Sequence, residues 1–426
     1  YYRFIAIDGT ATAYYEDDAR RTGGWGETFA NSPDNSWQLT HYDPTFTTPD
    51  WVKNAIIYQI FPDRFRDGYA INNPAAGEFF YGDQPIDTTI VRSNTTQWNA
   101  VICDPRAVTG AAAACANKYS QNFYGGDLQG IIDKLPYLDS MGVTALYLNP
   151  IFESPSNHRY DTYDFLHIDP SLGDLALFQE LSTEAHDLGI NLILDGVFNH
   201  SSSDSLYFDR YARYPVVGAC ESASSIYRSW FYFSGTGVCD GANYESWFGY
   251  DSLPKINADT PAVRDYFINN GTASVGPYWM QWADGWRLDV GGDIDQGQVN
   301  DPNDDYWDDF RTAVHAVNPD AYIVGEEWGN ATSWTVGGEW DATMNYQFAA
   351  AVMSLWRDEP FTDNDFNSGS SAGPLDPITP ERFNERILNL QERYAPEAYA
   401  AMMNLIGSHD NNRALFRLDH NADLNN

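Results

Sequence analysis

The chain has 426 residues, a formal charge of −36 at neutral pH, 43% hydrophobic and 20% charged residues. That balance is globular, it excludes wholesale disorder, and no apolar run approaches the roughly 20 residues of a membrane span. A surface this acidic repels phosphate backbones, which excludes nucleic acid and anionic membranes as partners and favours neutral molecules or cations.

The chain opens on Tyr1-Tyr2-Arg3-Phe4, with no initiator Met and no signal peptide, and so reads as the interior of something longer. Tyr1 to Ile7 and Thr10 to Tyr15 are strand-like around an Asp8-Gly9 turn, and Gly23-Gly24-Trp25-Gly26 is a loop. Residues 1–50 are therefore expected to be the end of a β-domain and a linker. From Trp51 the pattern changes to apolar runs alternating with helix-period segments. Asn54 to Phe61 is a buried strand. Leu128 to Met141 is a helix capped by Asp127, with Ile131, Ile132, Leu135 and Leu138 as its stripe and Gly142 as its stop. Further strands are expected at Val143 to Leu148, Ile190 to Val197, Gly285 to Val290, Tyr322 to Gly325, Ala342 to Tyr346 and Met402 to Ile406. Helices follow Leu175, Thr260-Pro261 and Thr379-Pro380. Strand alternating with helix implies parallel βαβ units. The fold class is α/β. Seven strands are visible where a closed (β/α)8 barrel has eight, so the chain is either an open sheet or a barrel cut before its last strand.

Two long interruptions follow strand ends, Pro62 to Gln121 and Phe198 to Asp259, on the face where barrel active sites are built. Each carries a local cysteine pair, Cys103 with Cys115 and Cys220 with Cys239, without histidine or cysteine at metal-ligand spacing. Two disulfides in an oxidising compartment are expected, with free buried thiols as the alternative. Aromatic residues reach 15%, with 14 Trp and 28 Tyr. A large core is one explanation of that number, and flat rings that stack on sugar faces are the other.

Polar residues gather where the strands end. The third runs into Asp195-Gly-Val-Phe-Asn199-His200, the fourth reads Gly285-Trp-Arg287-Leu-Asp289, the fifth ends in Gly325-Glu326-Glu327-Trp328, and the seventh ends in Gly407-Ser408-His409-Asp410-Asn411. Residues two apart on a strand share a face, so Arg287 and Asp289 stand together, and the guanidinium is expected to keep the carboxylate ionised as a nucleophile requires. A second carboxyl on the next strand would serve as the acid. Core packing does not explain four polar strand ends in a row.

These four segments resemble the four signature regions of the α-amylase family, glycoside hydrolase family 13, in order and spacing, and the resemblance covers about Trp51 to Asn426. It implies a (β/α)8 TIM barrel (51–426, incomplete), with a domain B insertion after the third strand (198–259). It also implies retaining hydrolysis of α-glucosidic bonds. Asp289 resembles the nucleophile, Glu326 the general acid/base and Asp410 the transition-state stabiliser. Glu326 rather than Glu327 follows the Gly-Glu-x-Trp pattern, and adjacent strand residues face opposite sides. Arg287, His200 and His409 match sugar-binding residues, and Asp195 matches the aspartate that orients the arginine. His158 and Tyr160, in the Ser156 to Asp161 loop, match a histidine and a stacking tyrosine of the same subsite. Trp328, Lys255 and Arg413 complete the expected substrate-binding set. The resemblance further implies Ca2+ in the first long loop, held by Asp67, Asn72, Asn73 and Asp127 side chains with Tyr69 and Gly125 carbonyls, all oxygen donors of the kind calcium takes.

Leu253-Pro254-Lys255-Ile256-Asn257 and Ala342 to Tyr346 are similar to segments of neopullulanases, cyclomaltodextrinases, maltogenic amylases and amylopullulanases. Residues 1–50 then resemble the end of a starch-binding-type β-sandwich. Val290-Gly291-Gly292-Asp293 departs from that branch beside the nucleophile, so the preference for α-1,4 or α-1,6 bonds is left open. A transglycosylase on the same site is the alternative, and a non-catalytic glucan-binding relative is a third reading. The expected partner is an α-glucan, the expected location is extracellular or cell-surface, and oligomeric state is not read from the sequence. The span 1–426 alone is expected to be unstable for want of an eighth strand.

Overall fold

The structure, a computed structural model, describes residues 1–19, 21, 23–74, 80–81, 84–85, 119–237, 239–240, 243–295, 305–362, 366–367 and 373–418. Cys103 and Cys115 lie outside the described residues. The chain forms two compact units. One comprises Asn54–Asp295 and Asp308–Tyr322, the other Tyr1–Lys53, Gln296–Trp307 and Ile323–Asn426.

In the first unit, four parallel strands, Ile57–Ile60, Ala145–Leu148, Asn191–Gly196 and Gly285–Leu288, lie side by side in chain order. Ala145–Leu148 and Gly285–Leu288 are buried throughout, as parallel strands covered on both faces must be. Register decides which side chains meet. Tyr147 pairs with Gln59 on one side and Ile193 on the other, and Asp195 stands directly opposite Arg287. The helix Leu175–Asp187 is started by Asp174, whose side chain accepts from the Leu177 N–H. The expected single helix over 128–141 is two, Leu128–Ile132 and Leu135–Ser140. Pro136 is the cause, because it lacks an N–H and its ring clashes with the carbonyl four residues back.

The excursion after the third strand holds little regular structure. Isolated bridges tie it together, among them His200 with Lys255 and Phe231 with Ile256. Tyr207, Phe208, Trp230, Phe231 and Tyr244 form its aromatic core, all of them buried. Cys220 and Cys239 are joined by a disulfide, with Cα atoms 4.8 Å apart.

In the second unit, Phe4–Asp8 and Ala11–Glu16 form a hairpin, with Gly9 at φ +59°, and Glu27–Phe29 adds a third antiparallel strand. The strand Tyr322–Gly325 runs into this unit, where Val324 pairs with Ala342 of the parallel strand Ala342–Asn345. Met344 of that strand pairs with Met403 of Met403–Asn404. Helices Tyr346–Leu355 and Pro380–Arg393 are capped by the side chains of Asn345 and Thr379. All seven expected strands are thus present, each no longer than expected from its apolar run. The fold is α/β, and seven of the eight strands of a (β/α)8 barrel lie among the described residues. Among those residues no helix is long and apolar enough to cross a membrane.

Candidate active site

In the first unit the strand ends converge on one guanidinium. Arg287 is fully buried, and its Nη1 donates to Asp195 Oδ1 at 2.9 Å and to Asp289 Oδ1 at 2.8 Å. The other Asp195 oxygen, Oδ2, accepts from the hydroxyls of Tyr147 and Tyr160, the latter at 2.7 Å. Burial pushes the Asp195 carboxyl above its ordinary range, while Arg287 and the two hydroxyls pull it back. Every group facing Asp195 here is a donor, so it serves as a fixed anion that positions Arg287. Tyr147 is pushed far up by burial and keeps its proton to donate. Asp289 is buried too, but keeps 8% of its surface exposed against 1% for Asp195. Directly after Asp289, Val290 adopts φ +40°, a left-handed turn that β-branched residues rarely take.

A relay continues behind Tyr160. Its hydroxyl accepts from Asn149 Nδ2 at 2.8 Å, and Asn149 Oδ1 accepts from Gln59 Nε2 at 2.9 Å. Tyr160 N–H donates to His158 Nδ1 at 3.1 Å, and the two rings stack at 6.0 Å. Burial lowers His158, opposed by Asp161. Burial pushes His200 down to about 4. The neutral ring donates from Nε2 to the Tyr160 carbonyl at 3.1 Å and faces Asn199 Nδ2 with Nδ1 at 3.3 Å. Trp247 stacks on His200 at 5.5 Å, and half-buried Lys255 lies across from it on the isolated bridge. Both ring nitrogens of the uncharged histidine are thus engaged, and its face is packed against Trp247.

In the second unit, Glu326 Oε1 accepts from Trp328 Nε1 at 3.2 Å, and Trp328 stacks on Tyr346 at 3.7 Å. Glu327 turns to the backbone and accepts from Gly329 N–H at 2.7 Å. The seventh strand leads to a turn in which Ser408 Oγ accepts from Asp410 N–H at 3.2 Å. His409 Nε2 lies 3.2 Å from Asp410 Oδ1. Exposed Arg413 donates to the carbonyls of Ser408 and Asn411.

The structure thus brings together Asp195, Arg287, Asp289, His158, Tyr160, His200 and Lys255 in one unit. It gathers Glu326 with Trp328, and His409 with Asp410 and Arg413, in the other. Sequence reasoning missed Tyr147, Asn149 and Gln59. The signal was available: Tyr147 and Asn149 are two apart, and so share the face that meets Asp195.

The calcium expectation is overturned. Among the described residues no group of three or more His, Cys, Asp or Glu side chains is placed to hold a metal ion. Of the six residues named, only Asp67 and Asp127 carry carboxylates. Asp127 commits both oxygens to backbone donors, with Oδ1 accepting from Gly68 (3.0 Å) and Gly130 (2.7 Å) and Oδ2 from Tyr69 (2.9 Å). Asp67 Oδ2 accepts from Asn73 Nδ2 at 3.0 Å. Gly125, at φ +73°, lies so close to Asn73 that a Cβ there would fall 1.9 Å from its Oδ1. Asn72 sits in the short 3-10 turn Ala70–Asn72 that follows Tyr69. Asp127 caps the helix Leu128–Ile132, and Ca2+ is not assigned to this loop.

Residues 59–425 match the family model described as "Alpha amylase, catalytic domain". The chain belongs to the α-amylase family. It is 38% identical over 440 residues to an amylopullulanase of Thermoanaerobacterium saccharolyticum, covering 99% of this chain and 32% of that protein. It is 36% identical over 379 residues to neopullulanase 2 of Thermoactinomyces vulgaris, covering 88% of this chain and 53% of that protein. Among solved structures it resembles the ligand-free cyclic α-maltosyl-(1→6)-maltose hydrolase of Arthrobacter globiformis, with TM-score 0.66 and 32% identity over 87% of this chain and 69% of that one. The chain spans about a third of the length of the amylopullulanase and about half that of the neopullulanase.

Proposed function

We propose that the chain carries the hydrolytic centre of a retaining α-glucan hydrolase of the amylopullulanase and neopullulanase kind, acting on starch, pullulan or cyclodextrins. Asp289 attacks the anomeric carbon and holds the glycosyl group. Glu326 protonates the departing oxygen and then deprotonates water, and Asp410 binds the sugar as positive charge develops. His158, Tyr160, His200, His409, Trp328, Lys255 and Arg413 hold the sugar and its neighbours. The observation that carries this reading is Arg287 set between Asp195 and Asp289. One carboxylate is locked by two tyrosine hydroxyls while the other keeps more of its surface exposed. We further propose that the protein works outside the cell or at its surface, a reading supported by the Cys220–Cys239 disulfide. The test is to trap the chain with an activated fluoroglucoside and map the modified peptide. The label is expected on Asp289, and natural substrates should release α-anomers first. A label on another carboxylate, or β-anomers first, would sink the assignment.

A further inference from the structure

Arg159 lies between His158 and Tyr160 and differs from both. It is 1% exposed, while its two neighbours are half-buried. Its backbone has φ +62°, a left-handed conformation that brings the Cβ of an L-residue against the following carbonyl. Glycine adopts that conformation freely, and arginine keeps it only where the surroundings hold it. The holding contacts are all present. Nε donates to Asp169 Oδ2 at 3.0 Å, Nη1 to the Asn157 carbonyl at 3.0 Å and Nη2 to Ser171 Oγ at 2.6 Å. Asp169 is fixed in turn, because its Oδ1 accepts from the Ser171 N–H at 2.8 Å and from the Ser171 hydroxyl. It directly follows the strand Asp164–Ile168, which pairs with Phe152–Glu153, so the anchor lies outside the turn that it holds. The near side of the turn is tied as well. Ser156 Oγ accepts from the Arg159 N–H at 3.1 Å and donates to Asp161 Oδ1.

A left-handed residue folds the chain back on itself. Here it brings the Tyr160 N–H within 3.1 Å of His158 Nδ1 and stacks the two rings. His158 accepts at Nδ1 and so keeps its proton on Nε2. Tyr160 donates its hydroxyl to Asp195, and its carbonyl accepts from His200. A shift of the backbone at Arg159 would therefore reach His158, Asp195 and His200 through Tyr160. The guanidinium itself is closed to solvent, and each of its nitrogens already has an acceptor. A buried Arg–Asp pair often serves the fold alone. What separates this one from that case is the residue it pins, the strained link between two site residues. We propose that Arg159 is a positioning residue for glycoside cleavage. Pinned by Asp169 and Ser171, it holds the left-handed turn that sets His158 and Tyr160 against the sugar, and it does not touch substrate. This rests on the α-glucan hydrolase reading above.

The full chain is compared as wild type, Arg159→Ala, His158→Ala and the double variant. Turnover of soluble maltotriose is measured at a temperature where melting curves show each protein to be folded. Arg159→Ala should lower kcat/KM by about thirtyfold or more, the order of loss that follows a small misplacement of positioned groups. In the His158→Ala background the same substitution should cost no more than about fivefold, because one of the contacts it serves is already gone. Arg159→Gly loses the same ion pair but meets no strain at φ +62°, so it should keep several times the kcat/KM of Arg159→Ala. It also takes the place of Arg159→Ala in the cycle if that variant does not fold. Losses from Arg159 and His158 that simply multiply would overturn the proposal while leaving the enzyme reading intact. Wild-type kcat/KM in folded Arg159→Ala would do the same, because the pair would then serve the fold alone. Arg159→Gly no more active than Arg159→Ala would also overturn it, since the turn would not be what the arginine holds. A wild type that cleaves neither starch nor maltotriose would overturn the enzyme reading, and the proposal with it.

Discussion

The carboxylates around Arg287 and those at the ends of the fifth and seventh strands are held by different physics. Asp195 and Arg287 are strand residues, opposite one another in register and buried almost completely. Their positions follow from the sheet, and their buried charges are compensated by each other, by the Tyr147 and Tyr160 hydroxyls and by Asp289. Glu326 directly follows its strand and Asp410 lies in the turn beyond Met403–Asn404; both are partly or largely exposed and meet short-range partners: an indole N–H, a serine hydroxyl and a neighbouring histidine. The first arrangement couples function to stability, and the second separates them. The same substitution chemistry should therefore read out differently in the two places.

The largest expected effect is on turnover. Asp289→Asn and Glu326→Gln should each lower kcat by about a thousandfold or more. A residual rate above a tenth of wild type on starch or pullulan would break the role assignment. The next effect separates the two regions. Arg287→Met leaves Asp195 and Asp289 facing each other without a counter-charge and should cost about 3–5 kcal/mol in urea unfolding. Arg413→Ala removes an exposed side chain that meets two carbonyls and should stay within about 0.5 kcal/mol. Equal destabilisation by the two would erase the distinction between a sheet-held and a turn-held site. Smaller again is the disulfide. Cys220→Ser with Cys239→Ser reopens a loop with a sequence separation of 19 and should cost at most about 3 kcal/mol, with little change in maltotriose turnover.

Much of the site was legible because it is local. Arg287 and Asp289 are two residues apart, and the other polar strand ends are runs of four to six residues, so spacing alone put them on one face or one turn. The parallel strands were legible for the same reason, as uninterrupted apolar runs. What escaped was non-local or ambiguous. Tyr147 and Asn149 look like ordinary parts of a buried strand until register sets them beside Asp195. The break at Asp133 and Lys134 was hidden by a continuous apolar stripe, although Pro136 should have outweighed it. The calcium expectation failed because carboxylates beside glycines serve equally as metal ligands and as acceptors for backbone N–H groups. Composition cannot separate those uses, whereas the described residues bring together no three His, Cys, Asp or Glu side chains that would hold a metal.

The smallest effect probes the opposite end of the strands from Asp289. His186, in the last turn of Leu175–Asp187, places Nε2 2.7 Å from Asp284 Oδ2, and that oxygen also accepts from Leu192 N–H at 2.8 Å. Asp284 directly precedes the strand Gly285–Leu288, so this pair sits where barrel residues serve stability rather than chemistry. The hydrogen bond to Asp284 raises the His186 pKa, and burial opposes it. A raised pKa means that the folded state binds the proton more tightly than the unfolded chain. The stabilisation is then fully present below the ordinary histidine value of about 6.5 and is lost as pH rises through the raised one. Because the ring is 42% exposed, water and salt screen the pair and keep the effect small. Melting temperatures of wild type and His186→Gln should differ most near pH 5.5, converge by about pH 9, and converge sooner in high salt. Turnover of maltotriose should be the same for both at every pH. Identical melting profiles would show that the pair adds nothing, and a shifted pH–rate profile would show that the two ends of the strands are coupled.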